Sequence, residues 1–193
     1  MLPVADDGRL RACYDTSMNT KRILVYGGII VMVGLLFWIR FAPKTPSGVV
    51  SDFMNATYTL SSEKFTLING VSVVKIAPDS ASTVTTKYFG NEVHADLDGN
   101  GTEDVAFILT QNGGGSGTYY YVAAALKSAD GYRGINGILL GDRIAPQTTE
   151  FKDGKLIVNY ADRTKNEPMT ATPSVGVSKT LTVTDGVLTE VTH

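Results

Sequence analysis

Hydrophobic and polar positions divide the chain into two regimes. Ile23 to Ile39 reads ILVYGGIIVMVGLLFWI, 17 residues without a charge. At 1.5 Å rise per residue this suits a short bilayer-spanning helix, and the pattern predicts a transmembrane anchor over residues 23–41. Pro43, Pro46 and Gly48 break the helix and mark a linker over residues 42–50. From about Val49 the chain shifts to Val, Thr, Tyr and Ile punctuated by Gly and Asp. Some runs alternate and others are apolar throughout, which is strand chemistry.

Three dipeptides predict tight hairpins: Asn69-Gly70 between KFTLI and VSVVKI, Asp153-Gly154 between TTEFK and KLIVNY, and Asp185-Gly186 between KTLTVT and VLTEVT. Each pairs a residue tolerant of positive φ with glycine, as two-residue hairpin turns require. Asp130-Gly131 predicts a further turn after YYYVAAALKSA. Other strands are expected at Ala56–Leu60, Thr83–Tyr88, Val105–Thr110, Thr118–Leu126, Ile138–Leu140 and Val175–Thr184. The alanines of YVAAALKSA also suit a helix, but the preceding tyrosines and Val122 favour a strand. VAFIL and YVAAAL are apolar on both faces and read as central strands, whereas KLIVNY and TLTVT alternate. The longest loop falls over residues 161–174. Consecutive hairpins imply a mainly β domain over residues 51–193, an antiparallel meander closing into a sandwich or barrel and preceded by one transmembrane helix.

Charge gives the anchor a direction. Arg9, Arg11, Lys21 and Arg22 precede the apolar run, against Arg40 and Lys44 after it. The positive-inside rule therefore places residues 1–22 in the cytoplasm and the β domain outside the cell membrane, with the lipid bilayer as the partner of residues 23–41. Trp38 suits the outer interface. A cleaved signal peptide is the alternative, but its apolar core is usually shorter, and Arg40, Phe41, Ala42 and Pro43 make a poor cleavage site. Met18, followed by NTKR, is a second candidate start. The single cysteine, Cys13, precedes the apolar run, so the β domain has no disulfide and no thiolate metal site. The 193-residue chain carries net charge −2; from Thr45 onward eleven Lys and Arg stand against sixteen Asp and Glu, a net −5. This balance argues against a nucleic-acid partner, which needs clustered cations.

One stretch carries chemistry. Residues 96–104, DLDGNGTED, place side-chain oxygens at loop positions 1, 3, 5 and 9: Asp96, Asp98, Asn100 and Asp104. Thr102 stands where a backbone carbonyl serves, and Gly101 where the loop turns sharply. Side chains spaced by two on a curled loop converge on one point. Hard oxygen donors with three carboxylates select Ca²⁺ over softer metals. The stretch resembles the Asp-rich calcium loops of FG-GAP repeats and, less closely, those of EF-hands and dockerins. It departs from the EF-hand pattern at Phe107, where a bidentate Glu would stand, and its exit segment reads as a strand. FG-GAP proteins carry about seven such repeats and this chain one, so the resemblance implies the ion and not the fold. The competing reading is a metal-free turn held by Asx-type hydrogen bonds. The segments YFGNEVHADLDGNG, LTQNGGGSGTYYYVAAAL, GDRIAP and VNYADR also resemble small membrane-anchored or exported bacterial proteins without known function.

Other features read as structural. GGGSG at residues 113–117 lacks the Lys of a phosphate loop and lies between strands. Tyr119 and Tyr121 share one strand face and Tyr120 takes the other, as core or cross-strand pairs do. Ser116 with His94 and Asp96 lacks a nucleophile elbow. GDR at 141–143 and ADR at 161–163 read as loop ion pairs, or as a polar pocket if they converge with Tyr132 and Gln147. Two functions follow as expectations. One is a membrane-anchored extracytoplasmic binding or interaction module, of open specificity, with a structural calcium loop. The other is an envelope hydrolase acting on glycan or peptide through Glu92, Asp96 and Asp98.

Overall fold

Each of the three turn dipeptides takes positive φ, as do Ser61, Ser62, Asn91 and Arg143 at turns and bulges that no dipeptide marks. A computed structural model of the protein describes residues 49–191. Asn69 and Gly70 adopt φ of 51° and 80°, Asp153 and Gly154 51° and 72°, and Asp185 and Gly186 52° and 73°. Between such turns run twelve strands. They are β1 (Val49–Val50), β2 (Thr57–Leu60), β3 (Glu63–Thr66), β4 (Val71–Lys75), β5 (Thr83–Ala95), β6 (Asp104–Asn112), β7 (Tyr119–Ser128), β8 (Gly131–Asp142), β9 (Ala145–Lys152), β10 (Lys155–Asp162), β11 (Val175–Thr184) and β12 (Val187–Glu190). The fold of the described residues is mainly β, and its helical content is one 3₁₀ turn at Phe53–Asn55. Among the described residues no helix is long and apolar enough to cross a membrane. The expected anchor at 23–41 and the candidate start at Met18 lie outside them.

The strands form a nearly closed sheet in the order β3-β2-β8-β7-β6-β5-β4, with β1 also on β8, and a second sheet in the order β12-β11-β10-β9. β4 through β8 and β9 through β12 are meanders, as the hairpin pattern predicts. The expectation of a wholly antiparallel arrangement is corrected at one place. β2 pairs with β8 in parallel, Thr59 opposite Asn136, so the large sheet is mixed. Small residues let β2 lie there: a Cβ on Gly134 would stand 2.4 Å from the Thr57 carbonyl oxygen, and one on Gly137 2.4 Å from Leu60 Cδ2. The described residues open with β1, which pairs antiparallel with Tyr132–Arg133; the rest of the expected linker lies outside them. The Asn69-Gly70 turn forms, but its flanking strands do not make a full hairpin. Only Ile68 and Val71 bridge; β3 pairs with β2 and β4 with β5, at opposite ends of the sheet order.

β6 and β7 are apolar on both faces because each face meets a different core. Val105, Phe107, Leu109, Tyr121, Ala123 and Ala125 point into the curl, against Tyr58, Leu60, Phe65 and Leu67. Ala106, Ile108, Val122, Ala124 and Leu126 point outward, against Leu156, Val158, Tyr160, Leu181 and Leu188 of the second sheet. The Asn136 amide joins the two sheets: it donates to the Leu188 carbonyl and accepts from the Leu188 N–H, both at 2.8 Å. At one end of the curl Phe53 packs on Phe107, Tyr88 and Tyr132, with ring centroids 5.2–6.2 Å apart, and closes it. The β1 pairing, the β5–β6 loop and the start of β8 lie at this same end.

Candidate functional site

The β5–β6 connection holds the Asp-rich stretch because β5 ends at Ala95 and β6 begins at Asp104. Gly99 and Gly101 have φ of 78° and 84°, left-handed values that let the backbone coil tightly. The coil is built on side-chain oxygens accepting from the loop's own N–H groups. Asp96 accepts from Asn100 at 3.0 Å and from Gly101 at 2.9 Å, and Asp98 accepts from Asn100 at 3.1 Å. Leu97, between the two aspartates, is buried in the core shared with the second sheet and anchors the loop from beneath.

Asp104 is fully buried. Its Oδ1 accepts from the Lys127 N–H at 2.7 Å and its Oδ2 from the Leu97 N–H at 2.9 Å, tying the loop to the end of β7. Desolvation pushes its pKa above the ordinary carboxylate value, the Asp98 charge adds to this, and the two N–H bonds act in the opposite direction. Asp96, Asp98 and Asp104 each offer an oxygen within 4.8 Å of the others. Two of these carboxylates are exposed and the third is at the base. A carboxylate has about four lone-pair positions, so the N–H bonds leave acceptor capacity for a cation.

The side chains of the other two predicted ligands bond within the loop and to β7; the Thr102 backbone carbonyl, the atom the sequence offers to an ion, takes no part in these bonds. The Asn100 carbonyl oxygen accepts from the Thr102 N–H at 2.7 Å. The Thr102 hydroxyl shares its one proton between that oxygen and the Lys127 carbonyl, 2.8 Å away, and the Asn100 amide lies 3.4 Å from the Lys127 oxygen. Asn100 and Thr102 thus fasten the loop to β7 with their side chains. The role of Lys127 in holding the loop was not visible in the sequence, since it uses only backbone atoms and comes from 23 residues beyond Asp104.

Beside the loop, a bulge in β5 re-aims side chains; the register with β6 shifts between Tyr88 and Val93. The Tyr88 hydroxyl donates to Glu92, whose other oxygen lies 2.9 Å from His94 Nε2, and His94 Nδ1 is 3.7 Å from Glu103. The Tyr88 bond holds the Glu92 carboxyl below its usual range despite partial desolvation. Burial, and then Glu92, push the Tyr88 hydroxyl up to about 12. Ser116 sits on the β6–β7 tip, at the far end of the sheet from His94 and Asp96, so these three do not assemble. The GDR and ADR segments do meet: Arg163 donates to the Arg143 carbonyl at 2.9 Å, while Arg143 pairs with Asp142 at 3.1 Å. Tyr132 lies at the other end of β8, and the Gln147 carbonyl accepts from Asn91 at 3.1 Å, so the pocket imagined from these four does not form.

The chain matches no protein-family model, no curated protein and no solved structure.

Proposed function

We infer that this is a membrane-anchored extracytoplasmic binding or interaction module whose β5–β6 loop takes a structural calcium ion. The observation that carries the ion is the convergence of the Asp96, Asp98 and Asp104 carboxylates to within 4.8 Å on one tightly coiled loop. Crowded carboxylates repel, and a divalent cation neutralises them with the hard oxygen donors it prefers. An affinity on the order of 10⁻⁴–10⁻³ M suits such an extracellular site. The nearly closed sheet is read as an incomplete barrel with the second sheet stacked on its wall, preceded by one transmembrane helix over residues 23–41.

The hydrolase reading has less support. Glycosidase carboxylates face each other across a cleft at about 5–9.5 Å. Here Asp96 and Asp98 share a loop with Asp104, and Glu92 is held by Tyr88 and His94. Two experiments test the module. Protease added to intact spheroplasts should remove residues 45–193, and full-length protein in the cytosolic fraction would end the anchored reading. Isothermal titration of the full chain in detergent should show one calcium site of sub-millimolar to millimolar affinity, and absence of heat at millimolar calcium would end the ion reading.

A further inference from the structure

The curled sheet is shut by Phe53 at one end and open at the other. At the open end a cavity of about 330 Å³ lies between β3 and β4, at the low end of ligand-site volumes. Leu60, Phe65, Val74 and Val84 line it, Glu63, Lys64 and Lys75 stand at its mouth among the lining residues, and at its edge Gln111 donates to Thr86 at 3.2 Å.

The two walls of this opening are unpaired strand edges. β3 pairs only with β2 and β4 only with β5. The Ile68–Val71 bridge, at the narrow end, is the one β-bridge joining them among the described residues. Proteins usually protect such edges with charge, proline or bulges. β4 carries a single charge, Lys75, and around it Val73, Val74 and Ile76 are 61%, 47% and 58% exposed.

The geometry selects the occupant. A second copy of this chain would bring a strand already embedded in its own sheet, whereas a lone extended segment has both edges free, for β3 on one side and β4 on the other. Side-chain parity sets its sequence, because successive residues of a strand face opposite sides. Phe65 and Ser72 are buried, so Val74 shares the inward row and Lys64 and Lys75 point outward from the two walls. Neither lysine has a carboxylate within salt-bridge distance among the described residues. Glu63, on the inward row with Phe65, disfavours an acid facing in.

We propose that the seam between β3 and β4 accepts an extended peptide segment of alternating apolar and acidic residues, which docks as an added strand. Apolar side chains enter the cavity and acidic ones lie between Lys64 and Lys75. Main-chain hydrogen bonds supply affinity and the alternating pockets supply specificity. The site lies at the opposite end of the sheet from the Asp-rich loop and is independent of calcium.

The test uses the full chain in detergent and a fluorescent peptide of about seven residues alternating valine and glutamate, beside its valine–lysine counterpart. Anisotropy should show saturable binding of the glutamate peptide at least tenfold tighter than of the lysine peptide. The exposed double variant Lys64→Glu/Lys75→Glu should reverse that preference. In the wild type, the glutamate peptide should slow amide exchange at Lys64, Val73 and Lys75, whose N–H groups face the seam. No saturable binding, equal binding of both peptides, or no protection at those amides overturns the proposal, the last even if the double variant fails to fold. A dimer of the chain that the glutamate peptide does not dissociate would also overturn it, by assigning β4 to self-association.

Discussion

Asp104 and Asp98 belong to one cluster but hold different places in it, and substitution separates them. In chelator, Asp104→Asn replaces a buried acceptor of two N–H bonds, from Leu97 and Lys127. The amide accepts one of them and turns its own NH₂ toward the other. A hydrogen bond to a charged group contributes about 1.5–3 kcal/mol, and a buried N–H left without a partner costs about 1–3 kcal/mol. Removing a desolvated charge offsets part of this. The net expectation is a loss of about 2 kcal/mol, or roughly 6 °C at about 3 °C per kcal/mol for a domain of this size. Asp98→Asn differs because Asp98 is exposed and the Asn100 N–H it contacts is also held by Asp96. It also removes a like charge beside Asp104. Its effect in chelator should stay within about 0.5 kcal/mol, as for ordinary surface sites, with the sign toward stabilisation. Calorimetric melts of the full chain in detergent and chelator measure both. Equal losses for the two variants, or a neutral Asp104→Asn, would refute the assignment of Asp104 as the loop's buried anchor.

Asn136→Ala should destabilise by about 1–3 kcal/mol, because it leaves the Leu188 N–H and carbonyl without the amide that clamps the sheets; urea unfolding with an unchanged slope checks it. The pH dependence has two limbs of opposite sign. Glu92 has a lowered folded pKa, so its contribution is present above the ordinary 4.5 and is lost as pH falls through its folded value. Asp104 has a raised one, so its ionisation opposes folding above its folded pKa, and that opposition is relieved as pH falls from there toward 3.8. Stability measured against pH should lose the acid limb in Glu92→Gln and the higher limb in Asp104→Asn.

Where the chain turns is written locally, and so it was legible. Asn69-Gly70, Asp153-Gly154 and Asp185-Gly186 each take the positive φ their residues allow, and YVAAALKSA is the strand its tyrosines and valine favoured. Which strands pair across distance is set by close packing. Gly134 and Gly137 admit β2 to the edge of β8 through contacts with Thr57 and Leu60, and no periodicity in VSVVKI foretells that its strand faces β3 across a gap. The site divides in the same way. Spacing by two set Asp96 beside Asp98, and the coil of the loop returns the chain to Asp104, so the three carboxylates meet. The engagement of Asn100 and Thr102 with Lys127 depends on the hairpin returning β7 to the base of the loop, which spacing within the loop does not encode.

The central claim, a calcium ion among three carboxylates, is tested most directly by melting the full chain in chelator and in calcium, beside Asp98→Ala. An ion bound only by the folded state stabilises by RT ln(1 + [Ca]/Kd). At about ten times Kd this is about 1.4 kcal/mol, a rise of roughly 4 °C. Magnesium should give less, since it keeps its waters and demands octahedral geometry. The account predicts that rise for the wild type and none for Asp98→Ala; superimposable wild-type melts in chelator and in millimolar calcium would contradict it.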